Sequence, residues 1–489
     1  MKQTLLPFLV LALAGTFMWS IVHADGPRPL HAHNLSGVPA TLSTHRLWTR
    51  TVQPSADSAP AFLPHVRLPN GKRRDVVYIL AGNGRSNCDP SNPARQGRTY
   101  ALDARSGATL WTRSTSGQSR CTTAGPTVDP NGRWVYSAGL DGRVHRYHAA
   151  SGNEYRRHGW PKRVTLMPDV EKMSSTPTVG NGRLYVTTSG FNGDQGHYQG
   201  HVVTINLRTG KTTVFNTLCS HIRQLLGPTQ GRRNYCASER SGLFGRGQGV
   251  IDPVTHSVYI VSGNGRWNGR TNWGDSILKL DTTGGRLTDA FTPTNQSSLD
   301  DGDLDLGSTG PALLPSVNQN GHQLHLLVQG GKGPACDSCS GVAVRLLNRD
   351  NFSGRKGPGH LGGDIQDLQA PVSCEILTAP VAWKSPTGRI WVFYANSCGV
   401  AGYRLYSPSR GKFRLARPWE AHVGGTTPVL HHGVLYVARS REIRAYKATT
   451  GQFLGRISGI GGVHWEYPLV AGNRLFMTDQ SGHVFAFLL

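Results

Sequence analysis

The cysteines offer the widest choice of chemistry in this chain. There are eight, able to pair as disulfides or to bind zinc as thiolates. Spacing separates the two. Cys336-Asp337-Ser338-Cys339 has zinc-like spacing, but no second CxxC pair exists to complete a tetrahedral set. Disulfides are therefore expected, and nearness within single repeats points to Cys88–Cys121, Cys219–Cys236, Cys336–Cys339 and Cys374–Cys398. His31-Ala32-His33 and His431-His432 are also metal-ligand types, yet they fall in leader and turn segments that mostly face solvent. The Gly-rich runs Gly242–Gly249 and Gly330–Gly333 lack the strand–loop–helix setting and the terminal Lys-Ser/Thr of a phosphate loop. Spacing alone singles out no Ser-His-Asp arrangement.

An oxidising compartment suits these cysteines, and the N-terminus agrees. Lys2, the apolar run Leu5 to Gly15 and the small-residue site Val22-His23-Ala24 read as a signal peptide over residues 1–24. No later stretch reaches the roughly 18 apolar residues of a membrane span. No cysteine follows the signal region to carry a lipid. The expectation is an exported, periplasmic or extracellular protein.

The formal charge is +23, from 52 Lys and Arg against 29 Asp and Glu. The basic residues come in small dispersed groups, such as Lys72-Arg73-Arg74, Lys162-Arg163 and Arg232-Arg233, with no basic tail. Such a surface attracts anionic envelope polymers or acidic proteins, and no nucleic-acid-binding motif accompanies it.

The elements that position these residues follow from a repeat. The 61 glycines and 29 prolines suit many short strands joined by turns. The clearest copy is Thr99-Tyr100-Ala101-Leu102-Asp103-Ala104-Arg105-Ser106-Gly107, followed by Ala108-Thr109-Leu110-Trp111. Related turns end at Gly152, Gly210, Gly284, Gly411 and Gly451. In each, alternate residues bury one strand face, Asp or Asn closes the turn, and Gly takes the positive φ. Innermost strands open with Gly125-Pro126, Thr176-Pro177, Gly310-Pro311, Ala379-Pro380 and Thr427-Pro428, where an amide hydrogen is dispensable.

These starts predict an all-β chain over residues 45–489: an approximately eight-bladed propeller of four-stranded blades, preceded by a leader over 25–44. The last copy, from Tyr467 to Leu489, stops after its third strand. Leu47-Trp48-Thr49-Arg50 echoes Leu110-Trp111-Thr112-Arg113 and supplies the missing fourth, so strands from both termini close the ring. Surplus segments at Asn216–Gly247, Arg286–Leu306 and Phe352–Val372 read as insertions on one rim, and the chain is expected to be a monomer.

The Ala-Leu-Asp-Ala-x-x-Gly-x-x-x-Trp turn resembles the tryptophan-docking repeat of the quinoprotein alcohol dehydrogenase superfamily. That group includes dehydrogenases using pyrroloquinoline quinone (PQQ) and non-enzymatic relatives such as the lipoprotein scaffold of outer-membrane assembly. The resemblance implies three site residues. Asn264, in Gly263-Asn264-Gly265-Arg266-Trp267-Asn268, looks like the family's calcium-ligand asparagine. Asp303 looks like the catalytic aspartate, which would share the calcium, and Lys332 falls where a basic residue faces the quinone. Calcium takes hard oxygens, a carboxylate can remove a substrate proton, and a cation steadies a reduced quinone.

Departures from the family are equally specific. There is no pair of adjacent cysteines and no haem-attachment motif. The aromatic floor, a Trp shortly before Asp252-Pro253, is replaced by Phe244-Gly245-Arg246-Gly247-Gln248-Gly249. The calcium-binding glutamate of the third blade has no counterpart, although Asp194 lies nearby. The expectation drawn is a propeller with a degenerate cofactor pocket, without bound cofactor, that binds a ligand or partner through its rim and loops. The alternative is a PQQ- and calcium-dependent dehydrogenase of an alcohol or sugar.

Overall fold

The computed structural model describes residues 44–83, 88, 96–191, 194–409 and 411–489. The expected signal peptide, the expected leader up to residue 43 and the histidines of His31-Ala32-His33 lie outside these residues. Eight four-stranded antiparallel blades follow one another around a ring. Numbered by their innermost strands, blades two to eight start at Thr127–Val128, Thr178–Gly180, Val250–Ile251, Ala312–Leu313, Val381–Lys384, Val429–His431 and Leu469–Ala471. In blade one both Ser55–Ala56 and Ala61–Arg67 pair with Arg73–Asn83.

The ring closes as the repeat predicts. His45–Thr51 runs antiparallel to His483–Leu488, with Trp48 opposite Ala486, and completes blade eight. The core lies between blades: Val77 and Ile79 of blade one pack with Phe476 and Val484 of blade eight. Closure gives blade eight its full four strands, and each blade keeps only short edges.

The turn chemistry also follows the repeat. Asp103 Oδ1 accepts the backbone N–H groups of Arg105 and Ser106 at 2.9 and 3.0 Å. Asn206 does the same for Arg208 and Thr209 at 3.1 and 2.9 Å. Each docking tryptophan sits on the turn of the next blade. Trp111 Nε1 donates to Ala149 O at 2.8 Å, and Trp48 Nε1 to Ala104 O at 3.2 Å. Gly107 and Gly152 have φ near +70° and lie against these indoles; a Cβ there would stand 2.7 and 2.6 Å from the ring. The residue pattern thus fixes both the turn and the neighbouring blade.

All four expected disulfides are present, Cys88–Cys121, Cys219–Cys236, Cys336–Cys339 and Cys374–Cys398. Two of the three surplus segments need correction. Arg286–Leu306 contains the fourth strand of blade four, Leu287–Phe291, and Phe352–Val372 contains that of blade five, Gln366–Gln369. Polar loops lengthen the connections and disguise ordinary strands. Asn216–Gly247 remains a true insertion, stapled by Cys219–Cys236. Among the described residues no helix is long and apolar enough to cross a membrane.

Candidate functional site

Three residues singled out from the sequence come together on one side of the ring. Asn264 follows the second strand of blade four, Val258–Val261, and is fully buried. Its backbone N–H donates to Asp305 Oδ1 at 2.8 Å, and its carbonyl accepts from Ser241 N at 2.6 Å. Lys332, after the second strand of blade five, places its ammonium 2.5 Å from Asp305 Oδ2. Burial alone would lower the Lys332 pKa, but the carboxylates of Asp305, Asp303 and Glu375 outweigh it and hold the group above an ordinary lysine.

Asp303 is placed differently from Asp305. Its side chain is 65% exposed, and its carboxylate lies 3.7 Å from Lys332, whereas the Asp305 side chain is 6% exposed. The buried carboxylate of this site is therefore Asp305, two residues beyond the one chosen from sequence. Asp303 adopts a positive φ and turns outward. Asp194 joins from blade three: its Oδ2 accepts from Asn264 Nδ2 at 3.1 Å and its Oδ1 from the Tyr198 hydroxyl at 2.5 Å. Asp275, also fully buried, accepts the Leu306 N–H at 2.9 Å. Burial and the charge of Asp305 push its carboxyl well above the usual range.

These donors bear on calcium. The oxygens of Asp194 and Asp305 are already engaged by Tyr198, Asn264, Lys332 and, at 3.9 Å, Arg240. Asn264 Oδ1 is left buried without a hydrogen-bond partner. One amide oxygen is too small a donor set for a cation that takes six to eight. Among the described residues no group of three or more His, Cys, Asp and Glu side chains could hold a metal.

The axis bears on the quinone. Arg246 leads into the innermost strand of blade four, and Trp465 into that of blade eight, diametrically opposite. The Arg246 guanidinium lies over the Trp465 indole, 4.8 Å from its centroid. It also donates to Ser174 O and Thr123 Oγ1, at the entries to blades three and two. Its side chain thus spans the centre of the ring and is 5% exposed. Trp465 is anchored by its backbone N–H on Asp57 Oδ1 at 3.1 Å, and the neighbouring His464 Nδ1 sits 3.1 Å from Asp57 Oδ2. Where the resemblance implies an aromatic floor under a flat cofactor, this chain has a cation already covered by its own indole. The residues present do not fit the quinone.

Two more titratable groups line this end of the axis. Lys172 is 6% exposed and its ammonium reaches Cys88 Sγ at 3.8 Å. Burial and the charge of Arg246 lower its pKa to about 8. Glu466 is fully buried, and burial with the charge of Asp57 pushes its carboxyl well above the ordinary value. Sequence reasoning noted Arg246 only as the loss of a tryptophan. It missed Asp305, Tyr198 and Trp465. A signal existed for Asp305, since Gly302-Asp303-Leu304-Asp305 carries two acids, but none existed for Trp465.

On the outer rim, two adjoining clefts share Glu154. One, of about 440 Å³, is lined by Arg67, Trp134, His148, Asn153 and Tyr155. The other, of about 370 Å³, is lined by Arg113, His145, Tyr147 and Arg156.

Similarity to known proteins follows the fold. Residues 95–216 match the family model described as outer membrane protein assembly factor BamB. No curated protein matches the sequence. The structure is similar to quinohemoprotein alcohol dehydrogenase ADHIIG from Pseudomonas putida HK5, with a TM-score of 0.59 at 14% identity, over 95% of this chain and 78% of that one. It is similar to quinohemoprotein alcohol dehydrogenase from Comamonas testosteroni, with a TM-score of 0.57 at 14% identity, over 91% and 76% of the two chains. Chaetomium thermophilum Sqt1 gives 0.52 at 13% identity, over 91% and 99%. Repeat and ring together define the class, an eight-bladed β-propeller, of which residues 95–216 match that family model. At these identities the structural likeness extends to the fold, which hosts unrelated activities.

Proposed function

We propose that this protein is a non-catalytic propeller, exported to the periplasm or the cell exterior, that binds an anionic polymer or acidic protein surface through its rim. The observation that carries this reading is the Arg246–Trp465 contact across the axis, which fills the place of a cofactor with the chain's own side chains. The charge of +23 supports an anionic partner, and the rim clefts bring Arg67, Arg113 and Arg156 beside the aromatic side chains of Trp134, Tyr147 and Tyr155. Four disulfides support export. The test is retention of the purified protein on immobilised polyanion. Retention that falls steeply with ionic strength is expected, and indifference to salt contradicts the electrostatic part.

A second reading, a PQQ- and calcium-dependent dehydrogenase of alcohols or sugars, is favoured by one observation, the gathering of Asn264, Asp305 and Lys332 at one site. Reconstitution with PQQ and calcium, followed by dye reduction over an alcohol and sugar panel, separates the two readings. The non-catalytic reading expects no turnover.

A further inference from the structure

One disulfide is placed unlike the other three. Cys88, Cys121 and Cys236 are 5%, 1% and 1% exposed, and Cys219, Cys374 and Cys398 are half-buried. Cys339 is exposed and Cys336 half-buried. The bond spans a separation of three residues, against 17 to 33 for the others. Because a cross-link constrains the unfolded chain more as its loop lengthens, this one contributes least to stability. Nor does the loop depend on it. Pro334 O accepts from Arg345 Nη2 at 2.7 Å and Asn295 Nδ2 at 3.3 Å, and Gly333 O accepts from Ala343 N at 3.0 Å. The disulfide therefore sits at the open tip of a loop whose base is already pinned. Ser338 Oγ lies 3.4 Å from Cys336 Sγ. A disulfide sulfur carries no proton, so the hydroxyl is the donor, and it faces the sulfur on which charge would develop if the bond opened.

We propose that Cys336–Cys339 is a redox-active disulfide that oxidises dithiols. A substrate thiolate attacks the exposed Cys339 sulfur. The S–S bond breaks, and Cys336 leaves with the electron pair as a thiolate that accepts the Ser338 hydroxyl hydrogen bond. The second substrate thiolate attacks the substrate sulfur of the mixed disulfide and releases Cys339. The substrate ends as a disulfide, and the two cysteines hold its two electrons and take up the two protons its thiols lost. Asp337 lies between the cysteines and opposes a new negative charge there, so it slows the first step, whereas Ser338 assists it.

The full-length oxidised protein is treated with graded dithiothreitol, alkylated and peptide-mapped, with circular dichroism recorded at each concentration. Cys336 and Cys339 are expected to be labelled at a concentration at least about tenfold below that opening the other three pairs, with the fold intact. A dithiol peptide should be oxidised by one equivalent per chain. Ser338→Ala should slow this and Asp337→Asn speed it. Opening of all four pairs together, or peptide oxidation unchanged in a Cys336→Ser/Cys339→Ser variant, would overturn the proposal.

Discussion

The Arg246 guanidinium lies over the Trp465 indole at the centre of the ring, 4.8 Å from its centroid, although the two residues enter from opposite blades. A guanidinium on an indole within about 6 Å is attractive, by about 2 kcal/mol or more when desolvated. Here the contact also joins blade four to blade eight, the blade completed by strands from both ends of the described chain. Arg246→Ala removes the stacking and the hydrogen bonds to Ser174 and Thr123. A loss of about 2–4 kcal/mol is expected in urea unfolding, with Arg246→Lys recovering only part because an ammonium cannot reproduce the planar contact.

The docking tryptophans should rank by burial. Trp111 is 7% exposed, donates to Ala149 O, and lies against Gly152. Trp111→Ala is expected to cost about 3–5 kcal/mol. Trp48 makes the same contact to Ala104 O but is itself only half-buried, on a closing strand whose other residues are exposed, so Trp48→Ala should cost less but lower the unfolding midpoint measurably. Equal effects of the two would contradict the packing account.

Asp305 and Asp303 make a sharper pair. Lys332→Ala strips the counter-charge from buried Asp305, and a loss of about 3–5 kcal/mol is expected. Asp303→Asn, which suits the positive φ at this position, removes only an exposed charge and should fall within about 0.5 kcal/mol of wild type. Chemical denaturation of both variants checks the assignment. A large loss at Asp303 with none at Lys332 would reverse it.

His145 supplies the pH dependence. Its Nδ1 lies 2.6 Å from Glu154 Oε1 and its Nε2 3.2 Å from Asp141 Oδ1. Burial alone would lower its pKa, but the two carboxylates outweigh it and raise it above 6.5. The folded state therefore binds the proton more tightly than the unfolded chain. This contribution is complete below pH 6.5 and is lost as pH rises through the folded pKa. Thermal melts from pH 6 upward should show a decline that is flatter in His145→Gln. A wild-type curve parallel to that of the variant would refute the clamp.

Much of the fold was legible because its signals are local. The Asp103 turn, the Gly107 φ and the docking tryptophan Trp111 all fall within thirteen residues, Thr99–Trp111, and they recur. The unfinished last blade and the orphan Leu47-Trp48 strand predicted the closing pair correctly. The site was legible in part. Asn264 and Lys332 each contact Asp305, but which acid of Gly302-Asp303-Leu304-Asp305 turns inward depends on a backbone twist at Asp303 that composition does not reveal. Fourth strands hidden in Arg286–Leu306 and Phe352–Val372 were masked by the polar loops around them. Trp465 was out of reach altogether, because only the closed ring brings blade eight over Arg246.

The central claim is that the axis is filled by the chain itself. Calorimetric titration of the purified, full-length protein with PQQ in the presence of calcium tests it most directly. No saturable binding is predicted, because Trp465 already covers Arg246. Stoichiometric, calcium-dependent uptake of the quinone would contradict the account.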